Sequence, residues 1–528
     1  MGGVGVRAFC LTALATLGVV TAPAVAAPMD FDRSGRSDLA IGVIGEDVPF
    51  PGADDRDGAV NVIYGRRGGL RRNGNQFFTQ ASPGIASDPD ALERFGIALA
   101  AGDFDGDRSA DLAIGVLGQA VGSANRAGVV HILYGSPGGG LSGTGSALIH
   151  QDTPDVPGIA ESSDELGHEL ATGDFDGDGR DDLAVGVRED LDGAPHDNFG
   201  AVNVLYGSPA GLTATGSQLF HQDVGAVPGA AEAGDAFGDA LAAGDFDRDG
   251  RDDLAVGVPD EDFAGGNGAG VITILPGSAG GLTDIGSQLI HQDTPGVPGV
   301  AEAGARFGGA LASGRFNRGK RDDLAIGAMF HSAGTVNSAG TVTTLLGLGG
   351  GLAPSTGRVF HQDKPKIKEH AETGDFFGRV LAAGDFDRDG RDDLAIGVPD
   401  ENRPAGGNNS EGVVHVLFGA KRGLTRPGNK LLHQDLRGLP TPVEPTDRFG
   451  SALATGRFDR GKRDDLAIGV SGESVGLIDS AGAIHVLYGG RRGPRPRGSD
   501  FFTQDSPGIA DFAEEFDGFG FPLSIAAP

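Results

Sequence analysis

The string Leu-Ala-(Ile/Val)-Gly occurs seven times, starting at Leu39, Leu112, Leu183, Leu254, Leu324, Leu394 and Leu466, at intervals of 70 to 73 residues. Self-similarity at a fixed period marks a repeat architecture, in which one unit cannot bury a core alone. Every copy holds the same parts in the same order, and the copy around Leu254 is typical. An F-G-x-x-L-A-x-G run (residues 237–244) precedes an aspartate-rich loop (245–253) and an apolar run (254–258). A variable acidic loop, a third run (271–275), a Gly-rich turn and a fourth run (288–291) follow. The runs are 4–6 residues long, alternating or fully apolar, and bounded by Gly, Pro, Asp and Asn, so they read as strands. Seven units of four short strands predict an all-β, seven-bladed β-propeller, which protects its strand edges by closing into a ring. A parallel β-helix is the competing architecture, but its repeats are usually much shorter. Ala240, Ala242, Ala243 and Gly244 suit a strand beside a crowded axis.

The two ends of the chain predict how the ring closes. The first copy begins at the loop 30–38, with no first strand ahead of it. Residues 519–526 have the pattern of that missing strand, so the C-terminal strand is expected to complete the first blade. The propeller is expected to occupy residues 28–528. Residues 1–27 read as a signal peptide, with Arg7, an apolar stretch over 8–20 and a small-x-small site at Ala24-Val25-Ala26. The single cysteine, Cys10, lies in that segment, so no disulfide can form within the chain. No later stretch approaches the 18 apolar residues of a membrane span. A secreted monomer, held by packing and metal, is the expectation. With 42 Lys and Arg against 73 Asp and Glu, the net charge of −31 argues against a general binder of nucleic acid or anionic membrane.

The strongest chemical signal is D-x-D-x-D-G-x-x-D. It is complete at Asp174, Asp176, Asp178 and Asp182, at Asp245, Asp247, Asp249 and Asp253, and at Asp385, Asp387, Asp389 and Asp393. Alternate carboxylates in a tight loop converge on one point, which suits Ca2+ and its preference for several oxygen ligands. An EF-hand would need a helix and a Glu at position twelve, whereas this loop ends at position nine and runs into a strand. Two loops are weaker. Asp103, Asp105, Asp107 and Asp111 keep every acid but carry Arg108 in place of glycine, and Asp30, Asp32, Ser34 and Asp38 lose one carboxylate. The expectation is three to five structural calcium ions. Two further copies begin with Arg315 and Arg457. There the guanidinium is expected to replace the metal, Arg315 pairing with Asp323 and Arg457 with Asp459 or Asp465.

These residues resemble the FG-GAP repeat, the repeat of the integrin α-subunit head. The pair Phe237-Gly238, the loop 245–253 and the run ending Gly257-Val258-Pro259 match in order, and the likeness extends over residues 30–528. The resemblance implies a seven-bladed propeller with calcium in the hairpins between first and second strands. It also implies extracellular adhesion or ligand binding. Related repeats occur in glycosylphosphatidylinositol-specific phospholipase D, outside its catalytic part. Counterparts of the thigh, calf, transmembrane and cytoplasmic segments of integrins are not expected in residues 30–528.

Up-and-down strands place the second-to-third and fourth-to-first connections on one face, opposite the aspartate loops. The second-to-third loops (46–57, 189–198, 260–267, 400–411) vary most and carry Phe50, His196 and Phe263, the pattern of binding loops on a rigid frame. The third-to-fourth turns of the first, sixth and seventh repeats carry Arg66, Arg67, Arg71 and Arg72; Lys421, Arg422 and Arg426; and Arg491, Arg492, Arg495 and Arg497. Ring closure would gather them on one arc facing an anionic partner. A His-Gln-Asp string recurs at His150, His221, His291, His361 and His433, and its expected role is a shared structural hydrogen bond. The Asn-x-Ser sequon at Asn408 marks a glycosylation acceptor. No catalytic constellation is evident. The reading is a non-catalytic module for an unidentified extracellular protein or polysaccharide, with an extracellular hydrolase or polysaccharide lyase as the alternative.

Overall fold

The computed structural model describes residues 30–47, 56–86, 92–188, 198–263, 267–402 and 409–525. The signal-peptide segment, Phe50, His196 and the Asn408 sequon lie outside them. Seven four-stranded antiparallel sheets form the blades of a β-propeller, and the described residues contain no helix. Blade 4 shows the strand order: Ala240–Gly244, Asp253–Val258, Val271–Leu275 and Gln288–Ile290 pair in sequence.

Packing between blades explains the sequence motif. The glycine ending Leu-Ala-x-Gly lies against the glycine of the next blade's Phe-Gly pair. A Cβ on Gly257 would sit 2.2 Å from the carbonyl oxygen of Gly308, and one on Gly327 2.1 Å from that of Gly378. Any side chain there would separate neighbouring blades, so glycine is required on both sides of the contact. The apolar cores lie in the wedges between blades. One joins Val202 and Val204 of blade 3 to Phe237, Leu241 and Leu254 of blade 4. The second residue of each aspartate loop is a fully buried phenylalanine: Phe31, Phe104, Phe175, Phe246, Phe316, Phe386 and Phe458. The first-strand residues Ala240, Ala242 and Ala243 are buried as expected.

The ring closes as the chain ends predict. Leu523–Ile525 pairs antiparallel with Leu39–Val43, completing the sheet formed with Ala59–Arg66 and Gly69–Phe78. The fourth strands are longer than expected, eight residues in Thr213–Phe220 and ten in Gly69–Phe78. A bulge lets them continue past the register of the third strand. Blade 4 departs from this. Pro276 stands where blade 3 has Tyr206, which pairs with Thr213, and the ladder splits into Gln288–Ile290 and a separate two-residue pair. Proline has no N–H to give a ladder.

A belt of hydrogen bonds joins the aspartate loops around one end of the ring, and no sequence motif announced it. The residue at position eight of each loop donates its backbone N–H to the position-one carbonyl of the preceding blade. The donors are Ala110 to Asp30, Asp181 to Asp103, Asp252 to Asp174, Asp322 to Asp245, Asp392 to Arg315 and Asp464 to Asp385, at 2.9–3.2 Å. Ser37 to Arg457, at 3.1 Å, closes the circle. Where position eight is aspartate, its carboxylate accepts the position-one N–H in return, as at Asp181 from Asp103 (2.7 Å) and Asp464 from Asp385 (2.7 Å).

Candidate metal sites

Each aspartate loop leads into the second strand of its blade, and in blades 2 to 7 it connects the first strand to that strand; the belt fixes its position-one residue. Five loops bring three carboxylates together with oxygens within 4.8 Å of one another. The groups are Asp30, Asp32, Asp38; Asp103, Asp105, Asp107; Asp174, Asp176, Asp182; Asp245, Asp247, Asp249; and Asp385, Asp387, Asp393. Positions one and three converge in all five. The third member is position five in two loops and position nine in three. Of the expected ligands, Asp111, Asp178, Asp253 and Asp389 lie outside these triplets, and Asp178, Asp249 and Asp389 each pair with the arginine two residues on. The Ser34 hydroxyl donates instead to the Gly65 carbonyl, at 3.3 Å.

The loop backbone is arranged for anionic oxygens. Asp174 accepts N–H bonds from Gly177 (2.8 Å), Asp178 (3.0 Å) and Gly179 (3.0 Å). Burial nevertheless pushes Asp103, Asp174, Asp245 and Asp385 above the usual carboxylate range. Asp30 Oδ1, Asp103 Oδ1 and Asp387 Oδ1 are buried without a hydrogen-bond partner among the described residues. A cluster of desolvated, mutually repelling carboxylates with orphaned oxygens fits a hard divalent cation.

The position-nine aspartate has a second role. Asp182 accepts the Phe175 N–H at one oxygen and the Gly207 N–H at the other, both at 2.8 Å, which ties the loop to the end of the third strand. The same pair of bonds recurs at Asp38, Asp111, Asp253, Asp393 and Asp465. Asp465 belongs to a loop without a metal pattern, so this residue is retained for the hairpin itself.

The arginine loops differ from expectation. Arg457 Nε pairs with Asp464 at 3.1 Å, not with Asp459 or Asp465, because both oxygens of Asp465 already accept backbone N–H groups. Arg315 lies nearest Asp322, at 3.9 Å, not Asp323. The Asn317 amide takes both oxygens of Asp323, at 2.8 and 2.7 Å, so an asparagine at position three fills that loop. A cation also reaches the first loop, where Arg66 meets Asp32 at 2.6 Å. Burial raises the Asp32 carboxyl, but bonds to Asp30 and Arg66 outweigh it and hold the group below its ordinary value.

On the opposite face the glutamine of His-Gln-Asp, and of its variants without histidine, makes a hydrogen bond that recurs in several blades. Gln434 Nε2 donates to Glu473 at 2.6 Å and Gln504 to Glu46 at 2.8 Å. Gln222 reaches Glu261 and Gln362 reaches Glu401 in the same way. Histidine occurs in only five copies of the string, whereas glutamine occurs in all seven as Gln80, Gln151, Gln222, Gln292, Gln362, Gln434 and Gln504, the signal that would have found it. Burial raises Glu46 to about 10, Glu401 to about 9 and Glu473 to about 8. This face also holds a cavity of about 460 Å³ at blades 6, 7 and 1, lined by Arg379, Arg448, Thr446, Phe516 and Phe521.

The family model described as "FG-GAP repeat" matches residues 166–205, 237–275 and 377–417, which fall in blades 3, 4 and 6. FG-GAP repeats are thus found in three of the seven blades of the propeller, and the chain has homology to integrin α-subunits. Integrin alpha pat-2 of Caenorhabditis briggsae is 30% identical over 255 residues, 46% of this chain and 19% of that protein. The phosphatidylinositol-glycan-specific phospholipase D of Rattus norvegicus is 34% identical over 116 residues, 22% of this chain and 13% of that enzyme. The matches thus span less than a fifth of these curated relatives. Among solved structures, an exotype rhamnogalacturonan lyase aligns over 94% of this chain and 84% of its own at 12% identity and a TM-score of 0.38, too low to bear on function.

Proposed function

We propose that the protein is a secreted, calcium-stabilised propeller acting as a non-catalytic ligand-binding module outside the cell. The observation that carries the reading is the set of five convergent carboxylate triplets in the aspartate loops. Homology to integrin α-subunits supports the ligand-binding role. Asp30, Asp32, Asp38, Asp103, Asp105, Asp107, Asp174, Asp176, Asp182, Asp245, Asp247, Asp249, Asp385, Asp387 and Asp393 would hold the ions. Their position-one members sit on the inter-blade belt, so each ion would brace a blade junction as well as a hairpin. A role in stability follows from that position. The ligand would meet the loop-rich face around the Arg379–Arg448 cavity, where variable loops stand on a fixed frame.

Carboxylates about 4 Å apart repel by roughly 4 kcal/mol at an effective dielectric near 20, and a cation removes that cost. With a Kd of about 0.1–1 mM, 2 mM calcium contributes about 0.6–1.8 kcal/mol per site. A thermal melt tests the reading. The melting temperature should rise steadily from EDTA to 2 mM calcium, and an unchanged melt would reject it.

A further inference from the structure

The chain carries a net charge of −31, yet the cations of its outer strands, and of the turns leading into them, fall on one part of the rim. A groove of about 390 Å³ runs between the outer strands of blades 5 and 6, lined by Arg358, Lys364 and Arg426 beside Phe360, Leu424 and Pro427, with no carboxylate in its walls. The connection leaving blade 5 lies along the outer strand of blade 6, where the Lys368 N–H donates to Asn429 at 3.2 Å. That contact sets Lys366 and Lys368 beside Arg426 and Lys430. Lys368, Arg492 and Arg495 all lie close enough to Lys430 to lower its pKa, after the larger effect of burial. The cationic line therefore passes from blade 6 to blade 7. It continues onto blade 1, where Arg72 donates to the Phe501 carbonyl at 2.9 Å across the closure.

Some of these cations are structurally committed. Arg66 pairs with Asp32, Arg358 donates to the Leu424 carbonyl and Lys430 to the Pro494 carbonyl. Others are not. Among the described residues, no carboxylate lies within ion-pair distance of Lys364, Lys421, Arg422, Arg426, Arg491 or Arg492. Lys421, Arg422, Arg491 and Arg492 are exposed at the third-to-fourth turns. Blades 2 to 4 provide an internal control. Their outer strands Ser142–Ile149, Thr213–Phe220 and Gln288–Ile290, and the turns leading into them, hold no Lys or Arg. A need for solubility alone would not confine the outer-strand cations to four consecutive blades.

We propose that the rim of blades 5, 6, 7 and 1 is a binding track for a linear polyanion, seated in the groove at Arg358, Lys364 and Arg426 and followed by the turns at Lys421–Arg422 and Arg491–Arg492. A curved line of separated cations matches a flexible chain of repeated charges better than a compact partner. The track names a ligand class for the binding role proposed above, but it lies on the rim, away from the loop-face cavity, and none of its groups belongs to a carboxylate triplet. Binding at such a track falls with salt as counterions are exchanged.

The test uses the full secreted chain in 2 mM calcium with three labelled polymers: dextran sulfate, hyaluronate and uncharged dextran. Fluorescence anisotropy is read from 20 to 200 mM NaCl, with a melt recorded in the same buffer. Both polyanions, or one of them, should bind with affinity falling at least tenfold across that range, and dextran should not bind. The ratio between sulfate and carboxylate polymers identifies the favoured anion. Replacing Lys421, Arg422, Arg491 and Arg492 by Gln should weaken binding at least tenfold without moving the melt. A second variant, Lys364→Gln with Lys366→Gln, should weaken it independently. Absence of polyanion binding at 20 mM NaCl, or undiminished binding in both variants, overturns the proposal. A calcium-independent melt with polyanion binding intact would reject only the metal reading.

Discussion

At the scale of single residues, the second aspartate loop holds the clearest departure from the pattern. Arg108 adopts φ +73° at a position where Gly179, Gly250 and Gly390 have φ +88°, +92° and +84°. A left-handed conformation costs a residue with a Cβ about 1–2 kcal/mol, and glycine adopts it without that cost. Arg108→Gly should therefore raise the melting temperature, by about 1 kcal/mol in stability once the extra chain entropy of glycine is deducted, and differential scanning calorimetry would read it. The aspartate pattern was legible in the sequence because alternate acids with a glycine have few other uses. The partners of Arg315 and Arg457 were not. Which acid they meet depends on the belt, which holds Asp322 and Asp464 against the preceding blade, and on backbone N–H groups that already occupy Asp465.

At the scale of elements, the glutamine–glutamate contacts link successive blades on the loop face. Glu401 is crowded by the nearby carboxylates Asp375, Glu369 and Glu372, and Glu473 by Asp447 and Glu444, but burial is the larger cause of their raised values. A carboxyl whose folded pKa lies above its unfolded value binds its proton more tightly in the native state. Its contribution is complete below an unfolded pKa near 4.5 and declines as pH rises to the folded value, about 8 for Glu473 and about 9 for Glu401. In saturating calcium, stability should therefore fall between pH 5 and pH 9. The chain already contains a neutral version of the contact, Gln80 to Gln119 at 2.6 Å. Glu473→Gln should keep the hydrogen bond, leave the melt at pH 5 nearly unchanged and stabilise the protein at pH 9 by about 1 kcal/mol or more. A parallel shift at both pH values would show that Glu473 does not titrate in this window. The contact went unread because histidine drew attention within His-Gln-Asp, and its partner lies 39 residues away on the neighbouring blade.

At the scale of the whole molecule, seven equal units give a ring only if the last meets the first. Contacts that make that junction include the strand Leu523–Ile525, the Ser37–Arg457 bond of the belt, the Gln504–Glu46 bond, and contacts of Arg72 and Asn75 with residues 501 and 508. Truncation after Gly518 should remove one strand of blade 1, expose its edge and broaden a single cooperative unfolding transition into more than one, visible by calorimetry. The fold and its closure could be read from the sequence because repeats make every strand a sevenfold observation. The belt could not, since its donors and acceptors are backbone atoms and the residues above them range from aspartate to alanine and serine.

The central claim, that the aspartate hairpins are calcium sites bracing the ring, is tested most directly by counting ions on the intact protein. Native mass spectrometry in millimolar calcium should show five bound ions, and Asp→Asn at position three of one loop (Asp32, Asp105, Asp176, Asp247 or Asp387) should remove one ion at a time. A protein that carries no calcium, or a count that none of the five substitutions alters, would contradict the account.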